Sequence, residues 1–397
     1  MEQRQFNNLS AGDPAPWFHG RTAGNPNYAF DTAAGRYLVL CFFMTTTDEA
    51  GERAIRAAFA RSQLFDDRRF CFFGVTADAR DEMEKRVQDR VPGYRFFFDT
   101  EGAISKRYGA APADIQPGET NVPMRRFWML LDPTMRIMRV VPFTPDGREI
   151  EEFFRYLESL PPPEDYAGFT LQAPVLILPR VFEPEFCAHL ISLYEENGGE
   201  ESGFMREVNG KTVAIHDHGH KRRKDFTLTD EALINQTRER VRRRVVPEIL
   251  KVHQFRVTRM ERYIVSCYSA EDGGHFNAHR DNTTKGTAHR RFAVSINLNN
   301  EFDGGEVSFP EYGPRSFKMP TGGACVFSCS LLHKVSKVTR GSRLAFLPFL
   351  YDDAAAKIRE QNNQFLGEGV SGYKSGVTPV PTPTADGGIG EQKIAAP

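Results

Sequence analysis

His279 and Asp281 stand two residues apart in the segment CYSAEDGGHFNAHRDNTT. On an extended strand, side chains two apart point to the same face. An imidazole and a carboxylate side by side make two-thirds of a 2-His-1-carboxylate triad, the ligand set that suits non-haem Fe(II). The third ligand has to come from a distant strand folded back beside the first. His333, at the end of the apolar run GGACVFSCSLLH, is the candidate. Three protein ligands leave positions open for a 2-oxo acid, bound through carboxylate and keto oxygen, and for O2. A five-carbon dicarboxylate also needs a counter-charge at its far end, best a bidentate arginine. Arg343 follows His333 on the next strand, after a turn over residues 339–342. That turn breaks strand parity, so spacing alone leaves the direction of the Arg343 side chain open.

Other histidines compete for the metal. His275 is placed in a Gly-rich turn and His289 in a polar loop, and both are read as non-ligands. The tract HDHGH, residues 216–220, is of a kind that can bind metal, but His216 and Asp217 are adjacent. It is read as a solvated loop bordering the mouth of the site. The basic run KRRK, residues 221–224, is read as a solvated face or as a surface that meets an acidic or polypeptide substrate.

A chain of 397 residues has room for two domains. Apolar residues at 40% and charged residues at 26% describe a globular protein with real cores. A formal net charge of −1 gives no electrostatic reason to expect nucleic acid or an anionic membrane as a partner. The opening MEQRQFNNLSAGDPAP lacks the apolar core of a signal peptide, and YLVLCFFM is too short to span a membrane. A cytoplasmic location is expected. The six cysteines form no C-x-x-C pair and mostly lie in apolar runs, which predicts buried free thiols.

Strand and helix signals alternate from about residue 10 to 160. RYLVLCFF and RFCFFGV read as strands buried on both faces. DEAGERAIRAAFARSQLF reads as a helix with acidic residues in its first turn, and DARDEMEKRVQDRV as a second helical stretch. RFWMLLD and RIMRVVPF close the block as a hairpin, before the helix REIEEFFRYLESL. This order predicts a thioredoxin-like α/β domain over residues 1–160. The proline-rich segment 161–173 is expected to be a linker. The second block opens with VLILP and the helix EPEFCAHLISLYEEN, and a further helix is expected from Asp230 to about His253. Short strands dominate from about Arg256 to Leu350, as in a sandwich or barrel. Residues 174–365 make the second domain, and the Pro/Gly/Thr-rich residues 366–397 read as a disordered tail.

The ordered set H-R-D, then His333, then Arg343 in G-S-R resembles the prolyl 4-hydroxylase-like branch of 2-oxoglutarate/Fe(II) dioxygenases. GTAHRRFAVSINLNNEFDGGEVSFPEYG is similar to the segment after the H-x-D motif in that family, including its G-G-E turn. The resemblance covers roughly Pro174 to Tyr351. It implies a double-stranded β-helix (jelly roll) with flanking helices. His279, Asp281 and His333 would hold Fe(II), and Arg343 would bind the far carboxylate of 2-oxoglutarate. Tyr268 resembles a pocket tyrosine of the sensor-type prolyl hydroxylases. Some members carry a tyrosine three residues before the first ligand, where this chain has Phe276. Ser295 and Asn297 alternate with Val294, Ile296 and Leu298, and offer a hydroxyl and an amide to the pocket. Asp281 fills the position that halide would need, so hydroxylation is expected over halogenation.

The implied reaction couples oxidative decarboxylation of 2-oxoglutarate, to succinate and CO2, to hydroxylation of a substrate C–H bond. O2 is the co-substrate, and ascorbate is a further expected cofactor. A peptidyl residue such as proline is the favoured substrate. A small molecule or free amino acid is the alternative, and a non-catalytic binding or sensing module is a third reading.

AGDPAPWF, LVLCFF and RRFWMLLDPTMRI resemble the peroxiredoxin (AhpC/TSA-like) branch of the thioredoxin fold, over roughly Ala11 to Leu160. Arg126 falls where that family keeps an arginine near its reactive thiolate. The chemistry requires a cysteine in the loop or first helical turn after the strand, yet that loop reads MTTTDEAGERA. Cys41 lies within the strand and Cys71 in the next one. The expectation is a degenerate redoxin domain used for docking, substrate presentation or homodimerisation.

Overall fold

The computed structural model describes residues 4–114, 119 and 122–374. The chain divides into two compact units, Met1–Ala173 with Phe309–Arg315, and Pro174–Ser308 with Ser316–Pro397.

The first unit opens with a short antiparallel pair, β1 (His19–Gly20) and β2 (Tyr28–Ala29). Then follow β3 (Tyr37–Met44), α1 (Glu49–Ala60), β4 (Phe70–Thr76), α2 (Ala79–Met83), β5 (Tyr94–Phe98), α3 (Ala103–Tyr108), β6 (Phe127–Leu131), β7 (Ile137–Pro142) and α4 (Glu149–Ser159). Five of these strands form one sheet in the order β5-β4-β3-β6-β7. Pairing is parallel among β5, β4 and β3 and antiparallel across β3, β6 and β7. Every residue of β3 and β4 is buried, which is why both read as unbroken apolar runs. In α4, Ile150, Phe153, Phe154 and Leu157 make the helical stripe i, i+3, i+4, i+7. Phe153 stacks on Trp128 with ring centroids 5.3 Å apart.

The stretch 78–91 departs from expectation. Only Ala79–Met83 is helical, and Lys85 then takes a left-handed backbone (φ 53°). Its charged residues supplied helical propensity, but Asp81 is drawn inward to Thr46 and Thr76, which fixes the first turn and redirects the chain. Residues 161–173 group with this first unit, and the Tyr37 hydroxyl donates to the carbonyl of Pro161.

The second unit begins with β8 (Leu176–Leu178), α5 (Pro184–Asn197), β9 (Glu200–Glu201), β10 (Phe204–Val208), β11 (Lys211–Ile215), β12 (Lys221–Arg222) and β13 (Lys224–Thr227). Helices α6 (Glu231–Arg244) and α7 (Val246–His253) come next, then β14 (Arg259–Glu261), β15 (Ile264–Ser269), β16 (His275–His279) and β17 (Phe292–Asn297). The chain continues through β18 (Val307–Ser308), β19 (Ser316–Phe317), β20 (Ala324–Ser328), β21 (His333–Val335), β22 (Ser342–Phe346), β23 (Phe349–Tyr351) and α8 (Asp353–Gln361).

A nine-stranded sheet runs β14-β23-β17-β22-β15-β13-β9, with β20 joining β17 to β8. A smaller sheet runs β12-β16-β21-β18-β19, and β10 and β11 form a separate hairpin. The large sheet has two different faces, set by the period-two alternation of strands. Val265, Val294, Ile296, Leu344 and Phe346 join one apolar core with Leu190 of α5, Leu233 of α6 and Ile249 of α7. The alternate positions Tyr268, Ser295, Asn297 and Arg343 fall on the opposite face and are equally buried.

Two further expectations need correction. The single helix over 230–253 is two helices that meet at Val245, because Pro247 has no N–H to continue the first and sits in the opening turn of the second. The first residues of the expected tail are attached: Leu366 bridges to Thr212, and the Tyr373 N–H donates to Asn363. The rest of that tail, from residue 375, lies outside the described residues. Among the described residues no helix is long and apolar enough to cross a membrane.

Candidate metal centre

β16 and β21 pair antiparallel, and the register sets His279 directly opposite His333. Asp281 lies two residues beyond the end of β16, its N–H donating to the Cys329 carbonyl at 2.9 Å. One ligand atom from each of His279, Asp281 and His333 falls within 4.8 Å of the others. His279 Nε2 is 3.5 Å from Asp281 Oδ1, and His333 Nε2 is 3.4 Å from Asp281 Oδ2. Donor atoms about 2.1 Å from a metal and at right angles around it stand about 3 Å apart, so the site needs only slight contraction around an ion.

The tautomers also fit. His279 Nδ1 is 2.7 Å from the Asn277 carbonyl and His333 Nδ1 is 3.0 Å from the Leu331 carbonyl. A carbonyl can only accept, so both Nδ1 atoms carry a proton, which leaves the two Nε2 atoms, the ones that face Asp281, as the atoms that could bind a metal. Such backbone bonds orient ligand imidazoles as well as fixing the tautomer. Burial, followed by the neighbouring His333, pushes the His279 pKa down to about 4 and keeps its ring neutral. Burial alone would raise the Asp281 carboxyl, but His333 and His279 outweigh it and hold the group below the usual carboxylate range. The Phe276 ring stacks on His279 with centroids 3.5 Å apart, and Phe327 lies against His333.

The cavity beside these residues lies between the two sheets and is lined by Tyr268, Ser295 and Arg343 from the large one. Pairing of β15 with β22 places Tyr268 opposite Arg343, which settles the direction that sequence spacing left open. Arg343 is only 2% exposed. Its Nη2 donates to Ser295 Oγ at 2.7 Å and its Nε to Asn297 Oδ1 at 3.1 Å, while Nη1 has no protein partner. A buried guanidinium N–H without an acceptor is costly unless a ligand supplies one. Gly305 (φ +64°) permits the arrangement, because a Cβ there would stand 3.1 Å from Arg343 Cδ.

Ser295 lines the cavity, whereas Asn297 does not. Its oxygen holds Arg343 and its Nδ2 donates to the Met319 carbonyl at 2.9 Å, so it supports the arginine from behind.

Two corrections concern the basic and polar segments. KRRK is not a solvated face, since Lys221 and Arg223 are 4% and 7% exposed while Arg222 and Lys224 face solvent. Arg223 lines the cavity. It pairs with Asp225 at 2.6 Å and donates to the Tyr268 hydroxyl at 3.3 Å. Sequence reading missed it, although an extended K-R-R-K-D segment puts Arg223 and Asp225 on one face. His289 does lie in the loop before β17 but is buried there: it and Arg290 pair with Glu261 at 3.1 and 2.8 Å. His275 is held to the Gly273 carbonyl at 2.8 Å. In the HDHGH tract, His218 bonds Glu201, and the His220 ring packs between Phe204 and Phe276.

In the first unit, Asp48 caps α1 and forms a two-pronged pair with Arg126, Oδ1 lying 2.7 Å from Nη1. A carboxylate therefore occupies the helix N-terminus, and Arg126 holds it below the usual range against the opposing effect of burial. Cys41 and Cys71 are buried, and burial raises both thiols. Alkylation at pH 8 is expected to be on the order of a hundredfold slower or more at these two than in the unfolded chain. Mass spectrometry of iodoacetamide-treated native protein checks this, and rapid modification of Cys41 would reopen a redox role.

Residues 263–351 match the model of the 2OG-Fe(II) oxygenase superfamily, and residues 11–140 match that of the AhpC/TSA family. A PKHD-type hydroxylase of Gluconobacter oxydans (strain 621H) is 39% identical over 84 residues, which is 19% of this chain and 37% of that protein. The chain thus spans little more than a third of that relative's length. Among solved structures, a prolyl hydroxylase in complex with a hypoxia inducible factor peptide fragment, from Trichoplax adhaerens, aligns with TM-score 0.35 and 15% identity, over 47% of this chain and 85% of that one. Peroxidoxin BcpB from Mycobacterium tuberculosis aligns with TM-score 0.33 and 15% identity, over 39% of this chain and 99% of that one. The second unit therefore carries a 2OG-Fe(II) oxygenase superfamily region, and the first an AhpC/TSA family region.

Proposed function

We propose that this protein is an Fe(II)- and 2-oxoglutarate-dependent oxygenase that hydroxylates a substrate C–H bond, and that its C-terminal unit is a double-stranded β-helix. The observation that carries this reading is the convergence of His279, Asp281 and His333 beside the buried, partly unpartnered guanidinium of Arg343. Fe(II), held by the triad, would supply the activation of O2 that is coupled to decarboxylation of the 2-oxo acid. The two Nδ1–H···O=C bonds keep both imidazoles aimed, and Asp281 contributes the one negative charge of the ligand set. Arg343 Nη1 offers its free N–H to the far carboxylate of 2-oxoglutarate, with Ser295 and Asn297 fixing the guanidinium plane. Phe276, Phe327, Val307 and Val335 form an apolar wall that limits water at the centre.

The proposed substrate is a peptidyl residue such as proline. Arg222 and Lys224 are exposed on the segment paired to β16 and β15, where an acidic or polypeptide partner would approach. A free amino acid or other small molecule is the second reading. The AhpC/TSA-like unit, with Asp48 where a reactive thiol would be needed, is proposed to dock or present that substrate rather than reduce peroxide. His279→Ala protein used as bait, with bound material identified by mass spectrometry, tests the substrate class. A peptide that gains one oxygen atom on treatment with the wild-type protein supports the reading, and only small metabolites in the trap would reverse it.

A further inference from the structure

Arg223, Tyr268 and Arg343 form a cross-strand row. Lys224 of β13 is opposite Cys267 of β15, and Tyr268 is opposite Arg343 of β22, so Arg223 stands at the next rung beside Tyr268. Both guanidinium groups approach the Tyr268 ring, at 5.7 Å for Arg223 and 5.4 Å for Arg343. Tyr268 is 1% exposed and lines the cavity together with both arginines.

The hydrogen bonding within the row has a fixed direction. A guanidinium has only donors, so the 3.3 Å contact from Arg223 Nη1 makes the Tyr268 oxygen the acceptor. The hydroxyl's own proton is then left for another acceptor, and no protein atom takes it among the described residues. Arg223 is itself held from behind: its Nη2 donates to Asp225 Oδ2 at 2.6 Å and to Ser202 Oγ at 3.1 Å. Asp225 is in turn fixed by the Ser266 hydroxyl at 2.6 Å and by Arg262 at 3.3 Å. An arginine this well anchored, and carrying a full charge, fixes the rotation of a hydroxyl that would otherwise turn freely.

We propose that Arg223 is a positioning residue, which holds the Tyr268 hydroxyl as an acceptor so that its proton is presented to an oxygen of the 2-oxo acid in the cavity. This rests on the oxygenase reading above. Arg343 and Tyr268 then grip the same ligand from neighbouring strands, one by charge and one by a directed hydroxyl. Arg223 acts on ligand affinity through the Tyr268 hydroxyl.

The test is calorimetric titration of 2-oxoglutarate into Mn(II)-loaded full-length protein under argon, which reads binding without turnover. Arg223→Gln and Tyr268→Phe are each expected to weaken binding roughly tenfold, the loss of one directed hydrogen bond to a charged group. Their combination is expected to weaken it little further, because both remove the same contact. Mn(II) affinity is expected to be unchanged throughout, and Arg243→Ala, at an exposed position of α6, to behave as wild type. Arg223→Lys keeps a cation beside Asp225 yet cannot span both Asp225 and Tyr268, so it is expected to lose affinity while remaining folded. Additive losses in the double variant, or unchanged affinity in folded Tyr268→Phe, would overturn the inference. Failure of the wild-type protein to bind 2-oxoglutarate at all would instead strike the oxygenase reading beneath it.

Discussion

Asp281→Ala is expected to lose Fe(II) affinity by well over the 10–100-fold that removal of a mere supporting partner costs a metal site. Asp281 is the only anionic member of the cluster, and its two oxygens face the two imidazole Nε2 atoms at 3.5 and 3.4 Å. Without it, a dication would sit between two neutral rings in a buried site, with no charge to offset its lost hydration. The fold is expected to persist, because Asp281 meets the rest of the chain chiefly through its backbone: its N–H donates to Cys329, and its carbonyl accepts from Arg290 at 3.4 Å. Equilibrium dialysis against Fe(II) under argon, with circular dichroism as a fold control, measures the effect. Retention of wild-type affinity would mean that the metal, if any, sits elsewhere.

Arg343→Gln is the second large effect. Truncating one partner of a buried charge-assisted contact costs roughly 2–5 kcal/mol, which is about thirtyfold to several-thousandfold in affinity. For Arg343 the loss is expected in the KM for 2-oxoglutarate, with metal affinity unaltered, since the guanidinium binds Ser295 and Asn297 and touches no member of the triad. Glutamine can still reach toward Ser295 but brings no charge. Arg343→Lys is expected to recover only part of the loss, because an ammonium cannot reproduce the forked geometry. A KM unchanged in Arg343→Gln would remove 2-oxoglutarate from this cavity.

How much of this was legible before the fold was known depends on where each partner lies along the chain. His279 and Asp281 could be paired because their two-residue spacing fixes a shared face. His333 could be added only by order in the sequence, and the β16–β21 register is what sets it opposite His279. Arg343 was nameable but not orientable, since the turn before it hides strand parity until Tyr268 appears as its neighbour. Arg223 was hidden by composition: four basic residues in a row look solvated, and only the burial of alternate ones separates Arg223 from Arg222. The burial of His289 was hidden for a similar reason, as its partner Glu261 lies on a distant strand.

The first unit was readable as a strand–helix alternation because its buried strands are continuous apolar runs. Its missing thiol was also plain. The Asp48–Arg126 pair that occupies the helix start was not, because it joins the start of α1 to the residue before β6, which lie side by side in the fold but far apart in sequence. The broken helix at Val245 and the shortened one after Asp78 share one lesson. Charged residues carry helical propensity, but Pro247 and the inward turn of Asp81 decide where the helices stop.

The proposed centre is Fe(II) held by His279, Asp281 and His333 beside a bound 2-oxo acid. Anaerobic titration of the apo-protein with Fe(II) and then 2-oxoglutarate tests it most directly, by the visible charge-transfer absorption of the chelate. A band is expected in the wild-type protein and is expected to disappear in His333→Ala. Folded wild-type protein that develops no band would contradict it, and would leave a binding or sensing module as the function to pursue.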